Sequence, residues 1–148
     1  MKLYKYSIVL VLLFVLSTSQ KLWAQNPVNW TNEQLMEPAQ LAKTIESGKD
    51  IPVIFSVGPG ALIPHSISVG PVQEKKNLET FRKELTKLPK DAKIVVYCGC
   101  CPFEHCPNAR PAIALLKELN FTNYQLLNLP HNLKADWLDK GYPKVEKL

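Results

Sequence analysis

The chain has 148 residues, of which 46% are hydrophobic and 21% are charged. This length allows one domain with a hydrophobic core, and it is too short for two. The formal net charge is +5, but Lys2, Lys5 and Lys21 lie in an amino-terminal segment without acidic residues, so the rest carries 15 basic and 13 acidic side chains. This near balance gives no reason to expect a nucleic-acid partner.

The first 24 residues have the pattern of a secretory signal peptide. Two lysines precede an apolar run from Ile8 to Leu16, a polar stretch follows, and Ala24 precedes the predicted cleavage site. The run is much shorter than the roughly 20 residues of a membrane-spanning helix, so we expect no membrane contact after cleavage. The sequence therefore predicts a signal peptide over 1–24, a linker over 25–34 and one domain over 35–148. We expect export to an oxidising compartment such as the bacterial periplasm.

Strands alternate with helices along the predicted domain. Apolar and β-branched runs predict strands at 34–36, 51–57, 67–69, 94–97 and 124–127. Helical spacing and end signals predict helices from Pro38 to the closing Gly48, from Leu78 to Leu88 and from Ala109 to Leu119, with a short last helix at Trp137. This alternation implies a parallel sheet covered by helices on both faces.

The stretch from Ile94 to Pro111 contains all four cysteines of the chain. Cys98 directly follows the apolar strand at 94–97, and the loop behind it runs into the helix that begins at Ala109, with Asn108 as the expected N-cap. In open α/β sheets, ligands bind at the carboxyl ends of the strands. The free N–H groups and the dipole of a helix N-terminus favour an anion, including a thiolate. The position of Cys98 therefore predicts a reactive-cysteine site.

Several features of the domain follow one another in an order and at a spacing that resemble a rhodanese domain, from about Leu35 to Val145. They are Ile63-Pro64, the strand that ends in Cys98, Arg110, Asn120-Phe121-Thr122-Asn123, Trp137 and Gly141-Tyr142-Pro143. The resemblance implies a rhodanese-like three-layer α/β/α sandwich with a mostly parallel sheet of about five strands. It also implies that Cys98 is the nucleophile of a sulfurtransferase.

Two features depart from the pattern of that family. The second strand ends in Ser56-Val57-Gly58, where members of the family carry Asp-Val-Arg. Cys98 and Arg110 are twelve positions apart, which is longer than the ordinary family loop. The added residues include three further cysteines and His105. The sequence therefore predicts an enlarged, cysteine-rich loop over the strand end.

We interpret the site first as a sulfurtransferase that carries sulfane sulfur as a cysteine persulfide. Cys98 would be the nucleophile, and Arg110 matches the loop-closing arginine that would bind an anionic sulfur donor. The thiols that could resolve the persulfide are Cys100, Cys101 and Cys106. The expected partners are a small anionic donor such as thiosulfate and a thiol or cyanide acceptor, which includes a thiol-bearing protein. This chemistry requires no cofactor.

The same loop leaves other functions open. A thiol–disulfide relay would use the thiols of the loop, and a structural disulfide would join Cys101 to Cys106. A metal-binding module would hold zinc or copper with Cys98, Cys101, His105 and Cys106. A domain without catalysis would use the same fold as a binding scaffold. Phosphatase or arsenate-reductase chemistry would need a shorter loop, with every N–H directed at one oxyanion.

Overall fold

The computed structural model describes residues 30–145. The predicted signal peptide, its cleavage site and the first part of the predicted linker lie outside these residues. The last part of that linker forms a short 3-10 helix, Asn32–Gln34. The Gln125 side chain donates a hydrogen bond to the Glu33 carbonyl at 3.1 Å, so this part of the linker is attached to the domain.

The centre of the domain is a five-stranded parallel sheet with the strand order β1-β5-β4-β2-β3. The strands are β1 (Leu35–Met36), β2 (Val53–Ser56), β3 (Ser66–Ser68), β4 (Ile94–Tyr97) and β5 (Tyr124–Leu127). All five overlap the strands that the sequence predicts; β3 lies one residue earlier than predicted, and β2 is shorter than the predicted strand at 51–57. The Val57 N–H still donates to the Tyr97 carbonyl at 2.9 Å, so the pairing of β2 with β4 continues toward the site.

Three α-helices connect the strands: α1 (Pro38–Ser47), α2 (Lys75–Leu85) and α3 (Ala109–Glu118). Gly48 ends α1 in the left-handed conformation that the sequence predicts for a helix-closing glycine. Helix α2 begins and ends three residues earlier than predicted. Leu88 packs on the core from a turn behind the helix, because its N–H bonds to the Leu85 carbonyl at 3.1 Å. The short last helix predicted at Trp137 is a π-helical turn, Lys134–Leu138.

The sheet divides the hydrophobic core into two halves. Successive side chains of a strand point to opposite faces, so Ile94 and Val96 pack with α2 and α3, whereas Val95 and Tyr97 pack with α1 and the π-helical turn. Strand β4 is therefore buried on both faces, as its unbroken apolar sequence predicts. The expected three-layer α/β/α sandwich is confirmed, and its sheet is wholly parallel.

Within residues 30–145, none of the helices combines the length and the apolar character needed to cross a membrane.

Candidate functional site

Cys98 lies at the carboxyl end of β4, in the middle of the sheet. Its side chain packs with the half of the core that contains α2 and α3, and only 3% of the residue is exposed. Gly58 follows the neighbouring strand β2 and lies directly against the sulfur. A Cβ atom at Gly58 would be 2.5 Å from Cys98 Sγ, so only glycine lets the backbone approach the sulfur this closely.

Asn108 is the buried polar residue of the site, with 2% of its surface exposed. Its Nδ2 lies 3.5 Å from Cys98 Sγ, and its Oδ1 accepts a hydrogen bond from the Gln73 N–H at 3.0 Å. The residue immediately precedes α3, as predicted, but its side chain does not cap the helix. The reason is that its backbone is already helical (φ −93°, ψ −29°), whereas a capping residue adopts extended angles.

Cys106 is the second buried thiol, with 1% of its surface exposed. Hydrogen bonding links the Cys106 side chain to that of Cys98 and to the backbone N–H groups of Asn108 and Ala109 at the start of α3. These hydrogen bonds lower the pKa of Cys106. The bond to Cys106, followed by burial, raises the pKa of Cys98. The two residues are called the inner pair below.

Cys100 and Cys101, called the outer pair below, lie closer to solvent: Cys100 is exposed and Cys101 is half-buried. Cys100 Sγ is 3.4 Å from Cys98 Sγ and 3.4 Å from Cys101 Sγ. Partial burial raises the pKa of Cys100, and burial together with the bond to Cys100 raises the pKa of Cys101 to about 11. All four thiols are free, so the Cys101–Cys106 disulfide considered from the sequence is not formed; both thiols instead contact other thiols of the same group.

The loop that carries these thiols is attached to the domain at several points. Phe103 is buried, and its N–H donates to the Leu129 carbonyl at 3.2 Å. The Gly99 carbonyl accepts a hydrogen bond from the Leu133 N–H at 3.0 Å. The insertion that lengthens the loop is thus packed on the segment that follows β5, and the thiols have fixed positions relative to β4.

Solved structures with the same arrangement of strands and helices include the BH2092 protein of Bacillus halodurans, with a TM-score of 0.58 and 19% identity over 76% of this chain and 77% of that one. The rhodanese-like domain of the Anabaena protein Alr3790 gives a TM-score of 0.54 and 18% identity over 77% of this chain and 80% of that one. A single-domain sulfurtransferase of Saccharomyces cerevisiae gives a TM-score of 0.53 and 18% identity over 76% of this chain and 94% of that one. The chain has a rhodanese-like fold.

No model of a known protein family matches the sequence, and no curated protein matches it at a significant level. The likeness to the solved structures therefore identifies the rhodanese-like fold, and the chemistry has to be argued from the site itself. In this fold the residue at the end of the fourth strand is Cys98, which the sequence predicts as the nucleophile. The structure adds Gly58 and Asn108 as its neighbours.

Arg110, predicted as the contact for an anionic donor, is an exposed residue of the first turn of α3. Its guanidinium group donates to the Glu104 carbonyl at 3.3 Å and lies 5.9 Å from the centre of the Trp30 ring. It lines a groove on the surface of α3 together with Gln34 and Lys117. The role of Arg110 in binding a donor stays a prediction.

The metal-ligand set considered from the sequence included His105. In the structure His105 is exposed, and the sulfurs that lie within 4.8 Å of one another are those of Cys98, Cys100 and Cys101. Cys106 joins this group through its contacts with Cys98 and Cys101. The described residues therefore place an all-sulfur cluster at the end of β4.

Chemically, the site offers the buried thiol of Cys98 beside a second buried thiol and an exposed one. Sequence reasoning missed Gly58 and Asn108 as parts of the site, although both carried a signal. Gly58 stands where an arginine is usual in the resembled family, and Asn108 is an amide at the helix start where only capping was considered. Their contacts with Cys98 depend on chain segments that are distant in the sequence.

Proposed function

We propose that the protein is a sulfurtransferase that carries sulfane sulfur as a persulfide on Cys98. The observation that carries the proposal is the position of Cys98 at the carboxyl end of the central strand, where its sulfur lies against Gly58 and 3.5 Å from Asn108 Nδ2. The likeness of the fold to a single-domain sulfurtransferase is consistent with this reaction.

The Cys106 thiolate would act as the base for Cys98. Hydrogen bonding with Cys98 and with the N–H groups of Asn108 and Ala109 lowers the pKa of Cys106, and these N–H groups would stabilise its charge. As Cys98 attacks a donor, its proton passes to Cys106. This proton transfer would let Cys98 attack as a thiolate although its own pKa is raised.

The first half of the reaction loads the sulfur. The Cys98 sulfur attacks the outer sulfur of thiosulfate, a new S–S bond forms, and the old S–S bond breaks so that sulfite leaves with the electron pair. Asn108 Nδ2, which lies 3.5 Å from Cys98 Sγ, would donate to the anionic sulfur near this position.

The second half transfers the sulfur to an acceptor. A thiolate or cyanide attacks the outer sulfur of the persulfide, and Cys98 leaves as a thiolate that regains its proton from Cys106. Cys100 is exposed and only 3.4 Å from Cys98, so it is placed to receive the sulfur first and to pass it outward to a small thiol or to a thiol-bearing protein.

Steady-state transfer from thiosulfate to cyanide, measured as thiocyanate, tests the assignment of Cys98. Cys98→Ser should lower kcat by at least about a thousandfold, because removing a covalent nucleophile removes the reaction path. His105→Ala is the matched control, since this residue lies in the same loop but is exposed and outside the thiol group. Full activity in folded Cys98→Ser would contradict the proposal.

Arg110→Gln tests the proposed contact with an anionic donor. Loss of the guanidinium should raise KM for thiosulfate by about tenfold, because a charge-assisted hydrogen bond contributes about 1.5–3 kcal/mol. Since cyanide does not use this contact, the rate of sulfur release from preloaded protein should be unchanged. An unchanged KM for thiosulfate would remove Arg110 from the site.

We include export in the proposal, to a compartment such as the bacterial periplasm. The support is the lysine-flanked apolar run from Ile8 to Leu16 and the small residue Ala24 before the expected cleavage site. The mass of the protein isolated from its source cell tests this point. A mature chain that begins at Gln25 is expected, and a full-length chain would contradict cleavage.

A further inference from the structure

Three of the four cysteine sulfurs, those of Cys98, Cys100 and Cys101, form a close cluster, and Cys106 is buried in the same half of the core. Cys100 Sγ lies 3.4 Å from both Cys98 Sγ and Cys101 Sγ, and these three sulfurs are all within 4.8 Å of one another. The Cys106 side chain contacts those of Cys98 and Cys101. Sulfur transfer at Cys98 does not require so many thiols in contact.

We propose that this cluster is a binding site for a thiophilic d10 metal ion, Zn²⁺ or Cu⁺, held by the thiolates of Cys98, Cys100 and Cys101 with Cys106 as the fourth ligand. In a tetrahedral zinc–thiolate site with Zn–S bonds of about 2.3 Å, neighbouring sulfurs lie about 3.8 Å apart. The two 3.4 Å separations in the cluster are close to that value. Only small side-chain movements would bring the sulfurs to a common metal ion.

The kind of metal ion follows from the donor atoms. Thiolates are soft ligands that select Cu⁺ and Zn²⁺ over Mg²⁺, Ca²⁺ and Mn²⁺, which prefer oxygen. His105 is exposed and lies outside the group of sulfurs, so the site that the structure supports contains sulfur alone. It therefore differs from the three-cysteine-and-histidine set that the sequence suggested.

The surroundings of the cluster match what a thiolate–metal site needs. Buried thiolate ligands are stabilised by N–H donors in their second shell. Asn108 Nδ2 lies 3.5 Å from Cys98 Sγ, and the N–H groups of Asn108 and Ala109 bond to Cys106. Cys100 is exposed, which gives a metal ion a path to the cluster from solvent.

The positions of the ligands are fixed before a metal ion binds. Gly99, between two of the ligands, is held by the 3.0 Å hydrogen bond from Leu133, and a Cβ at Gly99 would be 2.9 Å from Leu133 Cβ. Phe103, between Cys101 and Cys106, is buried in the core. A rigid set of ligands loses less conformational entropy on binding than a mobile loop would.

Metal binding and sulfur transfer would compete, since both use the Cys98 sulfur. A metal-loaded chain would not form a persulfide until the ion is removed. The two functions can still be tested separately, because the presence of a bound metal is measured without sulfur transfer.

The experiment is metal titration of the fully reduced mature chain, with Zn²⁺ and Cu⁺ added in separate anaerobic series against a chromophoric competitor. Native mass spectrometry gives the stoichiometry, and X-ray absorption gives the number of sulfur ligands. We expect one ion per chain with three or four sulfur ligands. The metal ion that binds more tightly in these titrations is the ion for which the site is suited.

Two variants distinguish this site from the alternatives. Cys100→Ser, at an exposed position, should weaken metal binding by at least about tenfold without unfolding the domain. His105→Ala should leave the metal affinity unchanged. Failure of both ions to bind, or a loss of affinity in His105→Ala but not in Cys100→Ser, would overturn the proposal whatever the outcome of the sulfur-transfer assays.

Discussion

The inner and outer pairs of cysteines lie in one cluster but in different surroundings. Cys98 and Cys106 are buried and belong to the hydrophobic core, whereas Cys100 is exposed and Cys101 is half-buried. The inner pair is positioned by β4 and by the start of α3, which are regular elements. The outer pair is positioned only by the loop between them. The proposed nucleophile is therefore held in place by the fold, whereas the thiols of the outer pair lie nearer to solvent.

The electrostatics of the two pairs differ in the same way. Within the inner pair, the pKa of Cys106 is lowered and that of Cys98 is raised, because the two side chains are hydrogen-bonded to each other. In the outer pair, the pKa of each thiol is raised. The thiol with the lowered pKa therefore lies in the inner pair, beside the proposed nucleophile.

The largest difference between the pairs should appear in their rates of alkylation. A bulky maleimide should label the outer pair at least about a hundredfold faster than the inner pair, because a buried thiol reacts only after local opening of the structure. Differential labelling followed by peptide mapping measures each rate, and the denatured chain is the control. Equal alkylation rates for all four thiols in the folded protein would contradict the distinction between the inner and outer pairs.

Gly58→Ala tests how tightly the inner pair is packed. The new Cβ would be 2.5 Å from Cys98 Sγ, so the free energy of unfolding should fall by about 1–3 kcal/mol. Chemical denaturation measures this change. In a Cys98→Ala background the same substitution should cost much less, because the atom that it meets is gone. An equal cost in both backgrounds would show that the strain lies elsewhere.

Cys106→Ser tests the role of Cys106 as the base. With Cys106 present, its lowered pKa helps the inner pair to release a proton, and the rate of sulfur loading should rise with pH through that lowered pKa. Without Cys106, Cys98 must lose its own proton to solvent from a buried site. The pH of half-maximal loading should therefore move upward in single-turnover measurements, and Cys101→Ser should not move it. A downward shift or no shift would exclude Cys106 as the base.

Substitutions of Asn108 should have the smallest effects of those proposed. Asn108→Ala should reduce the free energy of unfolding by about 1 kcal/mol, since it removes the 3.0 Å hydrogen bond from Gln73. Asn108→Asp keeps the acceptor oxygen but places a carboxylate beside Cys98, so it should retain stability and slow loading by an anionic donor. The two variants thus separate the structural role from the contact with sulfur. Equal loading rates in Asn108→Asp and the wild type would limit Asn108 to the structural role.

Much of the fold can be predicted from the sequence because local signals determine it. The β-branched run before Cys98 predicts a strand buried on both faces, and the Pro38 and Gly48 signals predict the bounds of α1. The helix after the loop is also predicted, since its apolar residues follow helical spacing. Helix α2 was placed three residues too late because Leu88, which belongs to the following turn, fits the same apolar spacing.

The site could be predicted only in part. The end of β4 identifies Cys98, but the neighbours of its sulfur come from separate segments of the chain. Gly58 approaches the sulfur through the pairing of β2 with β4, and Gln73, in the loop before α2, holds Asn108 beside it. The path of the long loop, which brings Cys106 to the helix start and leaves His105 exposed, depends on the packing of Phe103. No local pattern encodes that packing.

The most direct test of the central claim is the intact mass of the reduced chain before and after thiosulfate, followed by peptide mapping. A persulfide on Cys98 predicts a gain of one sulfur atom, about 32 Da, on the peptide that contains Cys98, and its loss on addition of cyanide. No gain in the reduced, metal-free protein, or a gain that persists undiminished in Cys98→Ser, would contradict Cys98 as the sulfur carrier.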